Sequence, residues 1–198
     1  MINLEPALRS ALTRYAGRAP AEMARASGAL FEPANGCFVM PFMGTEYRIG
    51  FPDGRFTPSL PVQASILCLH YLTGATGAPL TGRWVSFREL PGGDIYTGPF
   101  AKRILRPLVD SFARRPDALS RAAVRLGGSL EEFGDVAVRI PVFPRLPLTY
   151  VLWLGDEEFE ASGTVLFDES ARDHLSTEDL VVAAGEGLAK LRDLAEGR

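Results

Sequence analysis

The sequence has few of the side chains that metal and redox sites need. Of its 198 residues, two are cysteine and two are histidine. Cys37 and Cys68 lie far apart among apolar neighbours, and no CxxC motif occurs. Thiolate-bound zinc and iron–sulfur sites need clustered cysteines, so we expect no such site built from the chain's own thiolates, and the sequence predicts no set of metal ligands. Isolated cysteines of this kind are typical of buried thiols in a reducing compartment.

Long hydrophobic runs are also absent. No apolar stretch approaches the length that crosses a bilayer. Met1–Tyr15 is charged and amphipathic, without the apolar segment or small-residue cleavage site of a secretory signal. The net charge of −3 and the pI of about 5.5 argue against general nucleic-acid binding. We therefore expect a cytoplasmic protein that binds neither membrane nor nucleic acid.

The helical segments are indicated by apolar residues at a spacing of three and four. Leu4, Leu8, Leu12 and Tyr15 follow this spacing and predict an amphipathic first helix. Further helices are predicted at Pro20–Ala26, Pro61–Thr73, Phe100–Phe112, Asp117–Leu126 and Leu180–Ala195. Pro107 should kink or split the Phe100–Phe112 helix, since proline lacks an N–H and clashes with the preceding turn.

The strands are predicted in two regions of the chain. Cys37–Met40 and Glu46–Phe51 flank Met43-Gly44 as a hairpin, and a meander runs from Val136 to Phe167. We predict a single α+β domain over residues 1–198, with residues 1–28 as a helical segment packed on it. Its antiparallel sheet should have five or six strands, with helices mainly on one face.

The segment from Trp84 to Tyr96 combines aromatic residues, a charged pair and a diglycine turn. It lies between a short strand and a helix that begins near Gly98, so backbone N–H groups and a positive helix end should face it. In a binding site, Arg88 would pair with an anion, Gly92 and Gly93 would donate backbone N–H groups, and Tyr96 would cover it. No Walker or Rossmann spacing is present, and a tight turn without a ligand is the alternative.

The two histidines and the acids near the end of the last strand are the other candidates. His70 lies on the most apolar helix. It is a candidate ligand of a metal, haem or corrinoid, a candidate general base, or a hydrogen-bonded core residue. Asp168 or Glu178, with His174, suggests an acid–base pair, although no nucleophile stands out. Alternatively, Asp168 caps a short helix. Ser176 and Asp179 have the spacing of a capping box for the last helix.

Several motifs together resemble an uncharacterised family, domain of unknown function 3786. They are Leu69-His70-Tyr71, Trp84 to Gly93 followed by Tyr96, Ile140 to Pro144, Trp153 with Gly155 to Phe159, and Leu166-Phe167-Asp168 followed by Thr177 to Leu180. The resemblance implies a link to anaerobic one-carbon or corrinoid chemistry, since some family members carry a small iron–sulfur module. This chain lacks that cysteine module and has Ser176 where the family pattern has proline.

Three functions follow as hypotheses. The first is a binding or accessory domain for a small anionic ligand or cofactor, for which the resemblance suggests a corrinoid or another tetrapyrrole, with His70 as axial or hydrogen-bonding group. The second is an enzyme with an Asp/Glu–His pair and Arg88 as a substrate clamp. The third is a structural partner of another protein.

Overall fold

The computed structural model describes residues 3–197, which form seven α-helices and nine strands. The helices are α1 (Glu5–Ala16), α2 (Pro20–Ser27), α3 (Val62–Gly74), α4 (Thr97–Phe100), α5 (Arg106–Phe112), α6 (Pro116–Arg125) and α7 (Thr177–Ala195). The strands are β1 (Leu30–Glu32), β2 (Cys37–Phe42), β3 (Thr45–Gly50), β4 (Phe56–Thr57), β5 (Trp84–Ser86), β6 (Ser129–Glu131), β7 (Val136–Phe143), β8 (Leu146–Trp153) and β9 (Ser162–Asp168). Short 3-10 helices cover Phe87–Glu89, Gly93–Tyr96 and Glu169–Asp173.

The predicted α+β class is confirmed, but the strands divide between two antiparallel sheets where the sequence predicted one. One sheet has the order β1-β2-β3-β4 and the other β5-β9-β8-β7-β6. The short strands β1 and β4 pair with the outer edges of the β2–β3 hairpin, so these edges are not available to the meander. The sheets meet at a corner, where the Met43 N–H donates to the Val142 carbonyl at 3.1 Å and Phe42 stacks on Phe143.

Three helices pack on one face of the five-stranded sheet. This face carries Ile140 of β7 and Tyr150 of β8, and the Tyr150 hydroxyl donates to the Ala184 carbonyl of α7 at 2.7 Å. A Cβ atom on Gly187 would overlap that hydroxyl, so glycine allows the close approach of α7 to the sheet. Leu108 of α5 and Ala123 of α6 are buried in the same core.

The buried helix α3 joins the N-terminal helices to the sheets. Tyr71 lies parallel to Phe143, with 4.1 Å between ring centroids, and its hydroxyl donates to the Ser27 carbonyl at the end of α2. Tyr15 of α1 donates to the Gly50 carbonyl at 3.2 Å. The first two helices are therefore tied to α3 and to the four-stranded sheet.

The predicted interruption at Pro107 takes the form of a π turn. Ala101–Leu105 is a single π-helical segment between α4 and α5, and the Arg106 N–H bonds to the Ala101 carbonyl five residues back. A proline at the second position of α5 needs no helical N–H partner, so the wider turn accommodates it.

Candidate functional site

A largely apolar cavity of about 560 Å³ lies beside the first turn of α7. We call it the Phe100 cleft. Its buried base contains Phe87 and Phe100, whose rings stack with 4.0 Å between centroids. Its remaining lining residues are Pro91, Gly92, Ile95, Tyr96, Pro99, Arg103, Thr177, Glu178, Val181 and Val182. Ile95 is 76% exposed and Tyr96 is 51% exposed, which places both side chains at the mouth.

The segment that forms one wall of the cleft is fixed by local hydrogen bonds. The Glu89 carboxylate accepts from both the backbone N–H and the hydroxyl of Ser86, each at 2.8 Å, and these bonds lower the pKa of Glu89. Gly92 has a φ of +71°, which glycine adopts without strain. The Thr177 hydroxyl donates to the Pro91 carbonyl at 2.8 Å and joins this wall to the start of α7.

Gly93 is buried and already uses its backbone donor. Its N–H bonds to the Leu90 carbonyl at 2.8 Å, so the predicted donation from Gly93 to an anion does not fit the observed geometry. A Cβ atom at this position would overlap the Phe87 carbonyl oxygen. The diglycine is therefore a turn in which close backbone packing requires the second glycine.

We expect Gly93→Ala to lower the free energy of unfolding by about 1 to 3 kcal/mol, because the backbone must shift to relieve the overlap. Gly98→Ala is the matched control, since a Cβ atom there would have no neighbour within 4 Å. Thermal unfolding followed by circular dichroism measures both. Equal melting temperatures for the two variants would show that the Phe87–Gly93 contact is not tight in solution.

Arg103, rather than Arg88, supplies the positive charge of the cleft. Arg88 is exposed and is not one of the lining residues, whereas Arg103 on the π turn lines the cavity. Lys102 and Arg106, next to it on the same helical segment, line a separate cavity. Neighbouring basic residues of one helical segment therefore face different cavities.

A second cavity, of about 280 Å³, surrounds His70, and we call it the His70 cavity. The His70 Nδ1 atom lies 2.9 Å from Oδ1 of Asp179 on α7. The other carboxylate oxygen accepts from the Ser176 hydroxyl at 2.8 Å, and the Ser176 oxygen accepts from the Asp179 N–H at 3.1 Å. The predicted Ser176 cap of the last helix is confirmed. The same cap orients the carboxylate that holds His70.

The buried carboxylate of Asp168 is engaged in holding loops together. It accepts from Ser170 and, across the chain, from Thr81 and Gly82. Burial raises its pKa, but the hydrogen bonds from these three residues outweigh burial, and the net pKa is lowered. The cap of a short helix, one of the two interpretations of Asp168, is confirmed: its side chain accepts from the Ser170 N–H at the start of Glu169–Asp173.

His174 is buried at the wall of the His70 cavity, and no hydrogen bond of normal geometry joins it to Asp168. Among the residues described, neither ring nitrogen has a partner of good geometry, and the ring packs edge-on against Tyr71. Burial lowers its pKa, against smaller opposing effects of the Ala78 backbone and the Asp173 carboxylate. The Asp168–His174 pair suggested by the sequence is therefore not formed as a hydrogen-bonded pair.

Five of the candidate residues are thus distributed over two cavities that share the first turn of α7, whereas Arg88, Gly93 and Asp168 line neither cavity. Gly92, Tyr96 and Glu178 line the Phe100 cleft, and His70 and His174 line the His70 cavity. Glu178 and its neighbour Asp179 face different cavities. Sequence reasoning missed the pairing of His70 with Asp179, which lie 109 residues apart.

The described part of the chain has neither a cluster of potential metal ligands nor a candidate membrane span. Within residues 3–197, no three His, Cys, Asp or Glu side chains are grouped so that they could hold a metal ion. In the same part of the chain, no helix has the length and apolarity needed to cross a membrane.

Comparison with known proteins identifies a family but no activity. No curated protein and no solved structure matches the chain. The family model described as a domain of unknown function (DUF3786) matches residues 19–190. Because this match spans most of the sequence and agrees with the motifs noted above, the chain belongs to the DUF3786 family.

Proposed function

We propose that the protein binds a small anionic ligand with an apolar body in the Phe100 cleft. The observation that carries this proposal is an apolar cavity with a few polar groups at its edge, which is the usual composition of a small-molecule site. Its volume of about 560 Å³ lies within the range of roughly 300 to 1,000 Å³ that such sites occupy. Ile95, Tyr96, Val181 and Val182 supply apolar surface for an aromatic or branched group, above a base formed by the stacked rings of Phe87 and Phe100.

The polar groups at the edge favour an anion that also carries a hydrogen-bond donor. Arg103 can pair with a carboxylate through two parallel N–H groups. The N-terminal end of α7 at Thr177 adds the positive end of a helix dipole. Glu178 is an acceptor at the same end of α7, so a ligand hydroxyl or amine would complement it. An aromatic or branched-chain hydroxy acid or amino acid has this combination.

The corrinoid suggested by the family resemblance is not part of this proposal. His70, expected as its axial ligand, lies outside the Phe100 cleft, in a cavity of only about 280 Å³. That volume falls below the roughly 300 Å³ lower bound of ordinary ligand pockets and does not enclose a tetrapyrrole. A role in anaerobic metabolism and a cytoplasmic location stay predictions from the sequence.

The proposal is tested by thermal-shift measurements followed by calorimetric titration with phenyllactate, phenylalanine and 2-hydroxyisocaproate. We expect at least one of them to bind, and Arg103→Ala to weaken that binding about tenfold to 100-fold, because a charge-assisted hydrogen bond contributes roughly 1.5 to 3 kcal/mol. Arg106→Ala is the matched control, since it removes the same charge one turn along the helix, outside the cleft.

Two results would contradict the proposal. One is equal loss of affinity in Arg103→Ala and Arg106→Ala, which would indicate a general charge effect. The other is that none of the three probes binds, and that a native mass spectrum of the protein purified from its source organism shows a second polypeptide. The latter would favour the structural-partner hypothesis.

A further inference from the structure

The Phe100 cleft carries one positive and one negative side chain. Among the residues that line it, only Arg103 and Glu178 are charged, and both are exposed. The neighbouring charges do not alter this balance, because Lys102, Arg106 and Asp179 line other cavities. A cleft built for a simple anion would have an excess of positive groups. This cleft instead offers one group of each sign.

Neither of these two charges is paired within the protein. Among residues 3–197, no ion pair or hydrogen bond joins the side chain of Arg103 or Glu178 to another residue. Asp179, the next residue after Glu178, is by contrast engaged with His70 and Ser176. The apolar walls of the cleft lower the local dielectric constant, so a bound ligand gains from an opposite charge and is penalised by a like charge.

The two charges are held apart by the packing of two helical segments. Arg103 lies on the π-helical segment Ala101–Leu105, and its neighbour Ile104 packs against Gly185 of α7, where a Cβ atom would lie 3.3 Å from Ile104 Cδ1. Glu178 lies in the first turn of α7. At a rise of about 1.5 Å per residue, Glu178 and Gly185 are roughly 10 Å apart along the helix. The two charged side chains therefore enter the cleft from separated points, with room for a ligand between them.

We propose that the ligand of the Phe100 cleft is a free amino acid with an aromatic or branched apolar side chain, and that Glu178 selects it by its ammonium group. This inference rests on the function proposed above and narrows its ligand class, since it excludes the hydroxy acids. The carboxylate of the amino acid pairs with Arg103 and its ammonium group with Glu178, while its side chain lies against the apolar wall that includes Val181 and Val182.

A hydroxy acid has the same carboxylate and the same side chain, but it offers Glu178 only a neutral hydroxyl. Hydrogen bonds between two ionised groups are stronger than those that involve a neutral group. An acid without the hydroxyl brings a second negative charge towards Glu178 and gives it no donor. The amino acid is thus the member of this series that satisfies both charges of the cleft.

The test compares ligands that differ from L-phenylalanine in one group, by calorimetric titration at about pH 7. Phenyllactate replaces the ammonium group with a hydroxyl, 3-phenylpropionate lacks the ammonium group, and phenethylamine lacks the carboxylate. We expect each of the three to bind at least about tenfold more weakly than phenylalanine, because each loses one charge-assisted pair. Leucine should exceed 2-hydroxyisocaproate by a similar factor.

Variants identify Glu178 as the selecting residue. Glu178→Gln removes the charge and keeps the shape of the side chain, so it should weaken phenylalanine binding by about tenfold or more while 3-phenylpropionate binds no less tightly. Glu22→Gln is the matched control, because Glu22 is an exposed acid in the first turn of α2, outside the cleft. It should leave the affinities for both ligands unchanged. Melting temperatures verify that each variant is folded.

The possible failures of this inference and of the proposed function are distinct. The inference is overturned if phenyllactate or 3-phenylpropionate binds as tightly as phenylalanine, or if Glu178→Gln leaves phenylalanine binding unchanged. It is also overturned if the hydroxy acids bind and the amino acids do not. In these cases a ligand with a carboxylate still occupies the cleft, and the proposed function stands. If none of the ligands binds, the inference fails, and the native mass spectrum decides the proposed function.

Discussion

Replacing Asp168 by alanine is expected to lower the free energy of unfolding by about 3 to 5 kcal/mol, among the largest effects of a single change in this protein. The carboxylate is 2% exposed and accepts five hydrogen bonds. The shortest comes from the Ser170 hydroxyl at 2.6 Å, and the Thr81 and Gly82 N–H groups donate from a loop 86 to 87 residues earlier in the chain. Alanine leaves these donors without a partner.

Asp156→Ala provides the comparison for this effect. Asp156 also accepts from two backbone N–H groups, those of Glu158 and Phe159, but it lies in an exposed turn where water replaces a lost acceptor. Urea unfolding followed by tryptophan fluorescence measures both variants. If Asp156→Ala and Asp168→Ala cost the same, burial of Asp168 is not the reason for its contribution.

We also expect the contribution of Asp168 to the free energy of unfolding to depend on pH. Because the pKa of Asp168 is lower in the folded chain than in the unfolded chain, the unfolded state binds the proton more readily. The contribution is therefore fully present above the ordinary aspartate pKa of about 3.9 and is lost as pH falls through the lower, folded value. The stability difference between the unchanged protein and Asp168→Asn should shrink from pH 7 towards about pH 3.

Tyr71→Ala is expected to have an effect of similar size, about 3 to 5 kcal/mol, because it leaves a cavity where a fully buried ring stood. The ring stacks on Phe143 with 5° between planes. Its hydroxyl donates to the Ser27 carbonyl at 2.7 Å and accepts from the Arg145 N–H at 3.0 Å. One side chain thus connects α2, α3 and the β7–β8 turn.

Two further variants separate the contributions of the ring and the hydroxyl. Tyr71→Phe keeps the stacked ring and removes both hydrogen bonds, so we expect a loss of about 1 to 3 kcal/mol. Tyr96→Phe is the exposed control, since its side chain is 51% exposed, and its melting temperature should equal that of the unchanged protein. A Tyr71→Phe variant as stable as the unchanged protein would show that water satisfies the Ser27 and Arg145 groups.

Much of the local structure could be predicted because it depends on neighbours in the sequence. The Met43-Gly44 hairpin has positive φ at both residues, as such two-residue turns require. Ser176 caps α7 through its bond to the Asp179 N–H, and the helix is interrupted just before Pro107. In each case the physical cause is a side chain or backbone geometry within a few residues, so the pattern in the sequence is sufficient.

The short strands and the division into sheets could not be predicted in this way. β1, β4 and β6 have two or three residues each, too few for an alternating pattern to be recognised. Their positions depend on open edges of β2, β3 and β7, which exist only once the longer strands have paired.

By itself the sequence determined the helices, the long hairpin strands, the α+β class and the family, because periodicity, capping residues and motifs are read along the chain. Only the tertiary structure decided which side chains share a cavity. His70 meets Asp179 because α3 packs against α7, and Arg103 lines the Phe100 cleft because the π-helical segment Ala101–Leu105 also packs against α7. Such contacts arise from the packing of distant segments, and spacing along the chain carries no record of that packing.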